Sequence, residues 1–274
     1  MDPDAGVAPV LYGLRVKPPT TLTYEKSGNV ATVTLNRPER MNGMTSLMVR
    51  EAHDVLAAAA ADDSISVLVL TGAGTSFCPG ADLRAATAGE RDTPADPHHF
   101  QVPALLHDMP AITIAAVNGA CAGAGFGWAC GCDLRVAARS AMFNTAFLNV
   151  AVAGDMGLPW SLPRLVGAAR ARELSFFSEK FSAAEAHDIG LVARVWDDGV
   201  FRGEVAKLVA RLAGAAPLAL KTLKAHYLAA ERGGAFADYV DLETTDHLRI
   251  VKSGDTAEAF RAFLEKRAPV FTGR

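Results

Sequence analysis

Hydrophobic and polar positions follow two periods along this chain. Residues 21–26 and 29–35 read as two strands. Asn29-Val30-Ala31-Thr32-Val33-Thr34-Leu35 alternates and is β-branched, and Ser27-Gly28 before it has the composition of a hairpin turn. Asn36-Arg37-Pro38-Glu39-Arg40 stops the second strand. Thr45 or Ser46 is placed to cap a helix running to about Ala61, with Leu47, Val55 and Leu56 facing a core. Residues 66–71, 112–117 and 134–138 are short, nearly unbroken apolar runs, the mark of strands covered on both faces. Residues 84–98 carry no pattern and predict a mobile loop, followed by a short helix over 99–107. The small, Gly-rich stretch 119–129 runs into apolar sequence, which suits a strand-to-helix turn opening a tightly packed helix. Residues 162–177 and 182–190 read as helices, the second capped by Ser182 with Glu185 at its third position, and 191–196 as a strand. Beyond 199 the pattern is helical, over 201–213, 217–232, 238–252 and 256–266.

Strands alternating with helices up to residue 196 predict βα units around a largely parallel sheet, an α/β fold. The division expected is a loose leader at 1–20, an α/β core at 21–198 and a helical subdomain at 199–274. The last part is rich in Leu, Phe and Tyr, so it is expected to bury them against the body or another subunit.

Composition narrows the class. With 50% hydrophobic and 21% charged residues over 274 positions, the chain suits a fully packed body or an oligomer, not disorder. A net charge of −3 offers nothing to a nucleic acid backbone. Cys78, Cys121, Cys130 and Cys132 lack metal-ligand spacing, so reduced thiols, no metal and a cytoplasmic location are expected. Met1-Asp2-Pro3-Asp4 lacks the basic-then-apolar order of a signal peptide. The nearest approach to an apolar span, around 112–130, is broken by Asn118 and repeated glycines, so no membrane span is expected.

Two segments share a design. The runs ending at Leu70 and Val117 pass into Thr71-Gly72-Ala73-Gly74 and on to Phe77-Cys78-Pro79-Gly80-Ala81-Asp82-Leu83, and into Asn118-Gly119-Ala120-Cys121-Ala122-Gly123-Ala124-Gly125. Each ends a buried strand with small residues, where backbone approaches a ligand unobstructed. Each then enters a helix whose free N–H groups favour a negative oxygen. Taken alone, such turns also serve close packing. Neither is a phosphate loop: no Gly-Lys-Ser/Thr follows the first, and the second lacks a dinucleotide-binding spacing with an acid about 20 residues on.

The segment Phe77–Leu83, followed 34 residues later by Val117-Asn118-Gly119, resembles the signature of the crotonase, or enoyl-CoA hydratase/isomerase, superfamily. Asn36-Arg37-Pro38-Glu39-Arg40 with Asn42 is similar to its opening motif; Phe181–Ala186, Ala216–Lys221 and Phe263–Arg267 are similar to later pieces. The resemblance implies a ββα superhelical body, a C-terminal helical trimerisation region, a homotrimer or dimer of trimers, and an acyl-CoA thioester substrate. Coenzyme A would enter as part of that substrate, with no separate cofactor. It implies an oxyanion hole made by the N–H groups of Ala81 and Ala124. Family hydratases use two glutamates, and at those positions stand Gly127 and Phe147, neither able to carry a proton.

Asp155, eight residues beyond Phe147, is at a position that resembles the one where dienoyl-CoA isomerases, some enoyl-CoA isomerases and 4-chlorobenzoyl-CoA dehalogenases place an acid. It reads as the proton carrier of a double-bond isomerase, in a pocket with Phe126, Gly127, Phe147, Met156 and Trp160. Its other reading is a helix cap before 157–167. A dehalogenase would also need a histidine base, for which His98, His99 and His107 are in the neighbourhood. A hydrolase, a decarboxylase and a silent acyl-CoA binder stay open. Arg84, Lys221 and Lys266 are the candidate contacts for the coenzyme phosphates or adenine, and Asp82 reads as a cap for the helix after Ala81.

Overall fold

Alternation makes the first two strands what they are. In a computed structural model that describes residues 18–87 and 93–274, β1 (Leu22–Ser27) and β2 (Val30–Leu35) pair antiparallel. The turn between them uses Gly28 at φ +58°, a left-handed conformation open to glycine. β2 buries Ala31, Val33 and Leu35, every second residue, as one-sided burial requires. Helix α1 (Ser46–Ala60) starts at Thr45, whose hydroxyl accepts the Met48 N–H at 3.2 Å. β3 (Val67–Gly72) is followed by the short β4 (Ser76–Cys78) and α2 (Leu83–Thr87). A 3-10 turn over Pro97–Gln101 leads into α3 (Val102–Asp108). Then come β5 (Ile112–Val117), β6 (Ala120–Ala122), α4 (Gly123–Gly131), β7 (Leu134–Ala138) and β8 (Met142–Asn144). They are followed by α5 (Leu158–Val166), α6 (Ala168–Phe177), β9 (Phe181–Ser182), α7 (Ala183–Asp188) and β10 (Arg194–Trp196). The chain closes with α8 (Asp198–Ala213), α9 (Pro217–Glu231), α10 (Phe236–Ile250) and α11 (Gly254–Glu265).

These strands form two sheets. The larger runs β1-β2-β3-β5-β7-β10 and is parallel beyond its first hairpin; the smaller runs β4-β6-β8-β9. Three times a parallel strand of the first sheet gives way to a short strand of the second: β3 to β4, β5 to β6, β7 to β8. That is the repeated ββα plan of the crotonase-like fold. The apolar runs are its central strands. One face meets the main core, which includes Phe77, Phe126, Trp128 and Phe143; the other meets Phe201, Val205 and Val209 of α8. All four cysteines are free and buried, and burial pushes the Cys78, Cys130 and Cys132 thiols up to about 12.

Some expectations change. The helix expected over 162–177 is two helices, because Gly167 at φ +80° turns the chain between α5 and α6. The smaller sheet has no counterpart in the sequence reading, since strands of two or three residues show no period. Of the loop expected at 84–98, residues 84–87 belong to α2, 93–96 have no regular structure and 97–98 open the 3-10 turn before α3, while 88–92 lies outside the described residues. So does most of the expected leader, residues 1–17. Helix α8 packs across the sheet, whereas α10 buries none of its residues. Phe236, Phe263 and Leu264 are 80% or more exposed, too much apolar surface to leave in water. No helix among the described residues is long and apolar enough to cross a membrane.

Candidate active site

The C-terminal ends of β3 and β5 are tied together by one amide. Asn118 Nδ2 donates to Gly72 O at 2.9 Å and Gly74 O at 3.1 Å, while its Oδ1 accepts the Gly72 N–H at 3.2 Å. The chain then enters β4, and residues 80–82 run between two partners. On one side Met44 forms a parallel bridge with Ala81: its N–H donates to Gly80 O at 2.8 Å and its C=O accepts the Asp82 N–H at 2.9 Å. A parallel bridge of this kind leaves the N–H of the middle residue, Ala81, pointing to the opposite side. On that side stands the start of α4. Gly80 (φ +100°) and Gly123 (φ +50°) face one another so closely that a Cβ on Gly80 would lie 3.2 Å from Ala122 O and 3.6 Å from Gly123 Cα. Ala81 and Ala124 are the residues immediately following that contact. Ala124 is the second residue of α4, and no side chain caps the helix, so its first-turn N–H groups lack the usual side-chain acceptor. The dipole of α4 adds positive potential at the same place.

Asp155 lies on a turn that packs under α4. The turn runs through Gly154 at φ +146°, Met156 at φ +49° and Gly157 at φ +67°. Gly157 is the residue from which α5 starts and no side chain caps that helix, so Asp155 is not its cap. The Asp155 carboxylate accepts the N–H of Met156 at 2.7 Å. Burial raises its pKa, and that one hydrogen bond only partly offsets the rise. The turn occupies the room beside Gly127: a Cβ there would sit 2.6 Å from Met156 Cβ, 2.8 Å from Met156 O and 3.3 Å from Asp155 O. Phe147 is buried, and its ring edge lies 4.0 Å from the Cβ position of Gly123, at the start of α4.

The remaining expected site residues divide. Phe126 is fully buried against Phe143 and Phe181, a core residue and not a pocket wall. Phe147 lines an apolar cavity of about 490 Å³ with Leu148, Leu158, Pro159 and Leu162. Met156 and Trp160 line a different one, of about 530 Å³, shared with His107 and Arg164. The structure therefore does not bring Trp160 and Phe147 into one pocket. Arg84 is exposed on α2, three residues beyond Ala81, and Lys266 is exposed at the end of α11. Lys221 donates to Asp63 O at 2.6 Å, at the end of β3 opposite the Gly-rich turns, so one protomer does not bring it to the site. Asp82 does cap α2, accepting the Ala85 N–H at 3.1 Å. His107 pairs with Glu231 at 3.1 Å and stands edge-on to Trp160. His98 and His99 gather with His53 of α1, their ring nitrogens within 4.8 Å of one another. His99 Nδ1 already accepts the Asp96 N–H at 3.1 Å, which commits its lone pair to the turn. This histidine group was not legible in sequence, because 45 residues separate His53 from His98.

A sequence profile described as enoyl-CoA hydratase/isomerase matches residues 25–274. The chain belongs to this family. The 1,2-epoxyphenylacetyl-CoA isomerase of Escherichia coli (strain K12) is 38% identical over 260 residues, covering 92% of this chain and 98% of the relative. A probable enoyl-CoA hydratase of Rhodobacter capsulatus is 36% identical over 256 residues, covering 93% and 98%. The crystal structure of a putative enoyl-CoA hydratase from Streptomyces coelicolor A3(2) superposes with a TM-score of 0.85 at 32% identity, over the whole of both chains. This enoyl-CoA hydratase/isomerase family member is thus an acyl-CoA-handling enzyme with the crotonase fold. Within that family frame, the polar residues that sequence reasoning passed over are Met44's neighbours, Arg37 and Asn42. Their sequence signal is the Asn36-Arg37-Pro38-Glu39-Arg40 motif with Asn42 two residues beyond it.

Proposed function

We propose that the enzyme is an enoyl-CoA isomerase that moves a double bond along the acyl chain with Asp155 as its single proton carrier. The thioester oxygen sits between the N–H groups of Ala81 and Ala124. From a 2-enoyl thioester, the Asp155 carboxylate takes a proton from the γ-carbon. The C–H electron pair forms the β,γ bond, and the former α,β pair is drawn onto the thioester as a dienolate. The two N–H groups stabilise the new negative charge on oxygen. Protonated Asp155 then returns the proton to the α-carbon, giving the 3-enoyl isomer. The reverse reaction uses the same steps.

The observation that carries this reading is the Asp155 turn beside Gly127. It supplies a half-buried carboxylate with a raised pKa, free of any capping duty, where the two-glutamate mechanism has no group at 127 or 147. A carboxylate shifted toward the working pH is the better acid and base. The name of the Escherichia coli relative, 1,2-epoxyphenylacetyl-CoA isomerase, is that of an acyl-CoA isomerase and supports isomerisation, although the Rhodobacter capsulatus relative is named a probable hydratase. Arg84 is the candidate partner for the coenzyme phosphates. The exposed apolar faces of α10 and α11 are assigned to subunit contacts, which would bring Lys266 to a neighbouring site. To test the reading, purified enzyme is given trans-2-enoyl-, trans-3-enoyl- and 2,4-dienoyl-CoA and the products are separated by chromatography. Bond migration without 3-hydroxyacyl-CoA is expected; rapid formation of 3-hydroxyacyl-CoA would sink it.

A further inference from the structure

The opening motif forms a tight loop with its own internal brace. Met41 (φ +54°) and Asn42 (φ +61°) are both left-handed. Asn42 Oδ1 accepts the Arg37 N–H at 2.8 Å, and Asn42 Nδ2 reaches across to Ser76 O at 2.7 Å and Ala73 O at 2.9 Å. The Arg37 side chain, 14% exposed, lies along this loop. Its Nη2 donates to Asp82 Oδ2 at 2.9 Å and its Nη1 donates to Gly43 O. Gly43 O belongs to the peptide unit whose N–H, that of Met44, donates to Gly80 O at 2.8 Å. Gly80 O in turn belongs to the peptide unit whose N–H is that of Ala81. A guanidinium and two peptide groups thus stand in series, each donating to the next, and the series ends on the Ala81 N–H.

We infer that Arg37 is a positioning and polarising residue for the oxyanion hole, acting on the Ala81 N–H through the Gly43–Met44 and Gly80–Ala81 peptides. The inference rests on the reading of Ala81 as an oxyanion donor. Hydrogen bonds in a chain polarise one another, by about 10–30% per bond. A permanent cation at the head of the chain withdraws electron density from Gly43 O, then from Gly80 O, and makes the Ala81 N–H a stronger donor. Asp82 holds the guanidinium in place, and the same carboxylate stays ionised: burial works to raise its pKa, but the Ala85 N–H and Arg37 outweigh it and hold it below the ordinary value. Two geometric duties and one electrostatic duty therefore meet on one side chain. Lysine retains the charge but not the two-pronged geometry.

The test reads the thioester carbonyl directly. Cinnamoyl-CoA has no γ-hydrogen to lose and absorbs in the near ultraviolet, and its band moves to the red when its carbonyl is polarised. Its spectrum is taken free, on the wild-type enzyme, and on R37Q and R37K, at saturating protein fixed by a binding titration. Isomerase kcat and KM are measured beside it. The wild type is expected to shift the band to the red; R37Q should lose most of that shift and about tenfold in kcat with KM little changed. That loss is smaller than the 10²–10³ expected for deleting a donor outright, since the N–H is weakened and not removed. R37K should recover part of both. A bound wild-type complex with no red shift overturns the oxyanion reading itself. A wild-type shift that R37Q retains in full overturns the role of Arg37 alone, as does an R37K that is no better than R37Q. Should R37Q fail to fold, R37K decides: a retained partial shift supports the relay, and a lost one overturns it.

Discussion

Replacing Gly127 by alanine sets two effects of known size against each other. Gly127 lies inside α4, where alanine is the better helix former by about 0.8–1 kcal/mol. On propensity alone G127A stabilises the protein. The added methyl, however, would lie 2.6 Å from Met156 Cβ and 2.8 Å from Met156 O, both far inside van der Waals contact. Neither atom can be cleared by rotating a side chain, because one is backbone and the other is fixed to it. Met156 is already left-handed, a conformation that costs a non-glycine residue about 1–2 kcal/mol, so the turn has little freedom to retreat. Overpacking of this kind costs about 1–3 kcal/mol and here outweighs the propensity gain. At roughly 2–4 °C per kcal/mol for a chain of this size, the net change is a fall of a few degrees in Tm. Because the displaced turn carries Asp155, kcat should fall by more than stability alone accounts for, while KM for the thioester stays near that of the wild type. The assay pairs differential scanning fluorimetry with isomerase kinetics. A G127A enzyme with raised Tm and full kcat would refute the packing argument and the placement of Asp155 together.

Three further outcomes follow from the same geometry. Asp155 must be ionised to take a proton and its pKa is raised by burial, so kcat should rise with pH through a limb above the ordinary carboxylate value of about 3.9, and D155N should lack that limb. The same shift has a stability sign: the folded state holds the Asp155 proton more tightly than the unfolded one, so the stability it contributes is lost as pH rises through the folded pKa. D155N should therefore melt above the wild type at neutral pH and converge with it in acid. Lys224 is 3% exposed, with Asp133 Oδ2 at 2.8 Å and Ala111 O at 2.9 Å, and Asp133 also accepts the Thr113 N–H at 2.7 Å. D133A strands a buried cation and should cost about 3–5 kcal/mol; K224M should cost less, because Asp133 keeps Thr113 and partial access to water, and thermal melts that reverse this order would contradict the assignment.

How far the sequence could be read depended on the length scale of each signal. The first hairpin, the Thr45 cap, the Ser182–Glu185 capping box and the three central strands were legible because each is encoded within a few residues. The second sheet was not, since β4, β6, β8 and β9 hold two or three residues each and exist only because the first sheet lines them up. In the site, Ala81 and Ala124 are legible by motif, whereas the facing pair Gly80 and Gly123 just before them is a long-range contact that no local pattern encodes. The two readings of Asp155 were indistinguishable in sequence. They separate only through the backbone angles of Met156 and Gly157, which put the start of α5 two residues too late for Asp155 to cap it. Lys221 and Trp160 were placed by order along the chain, and order says nothing of which end of a strand, or which side of a turn, a residue occupies.

The central claim is that one carboxylate and two backbone N–H groups suffice for the chemistry. Its most direct test is hydrogen exchange: wild type and D155N are incubated with a trans-3-enoyl-CoA in D₂O, and deuterium at the α- and γ-carbons is followed by mass spectrometry. The wild type should move the double bond, with deuterium entering the α- or γ-carbon whenever protonated Asp155 exchanges with solvent before returning its proton, and D155N should be slower by about 10²–10⁴ in both migration and exchange although it binds the thioester as tightly. Exchange in D155N at the wild-type rate, or water added across the double bond in either protein, would contradict the account.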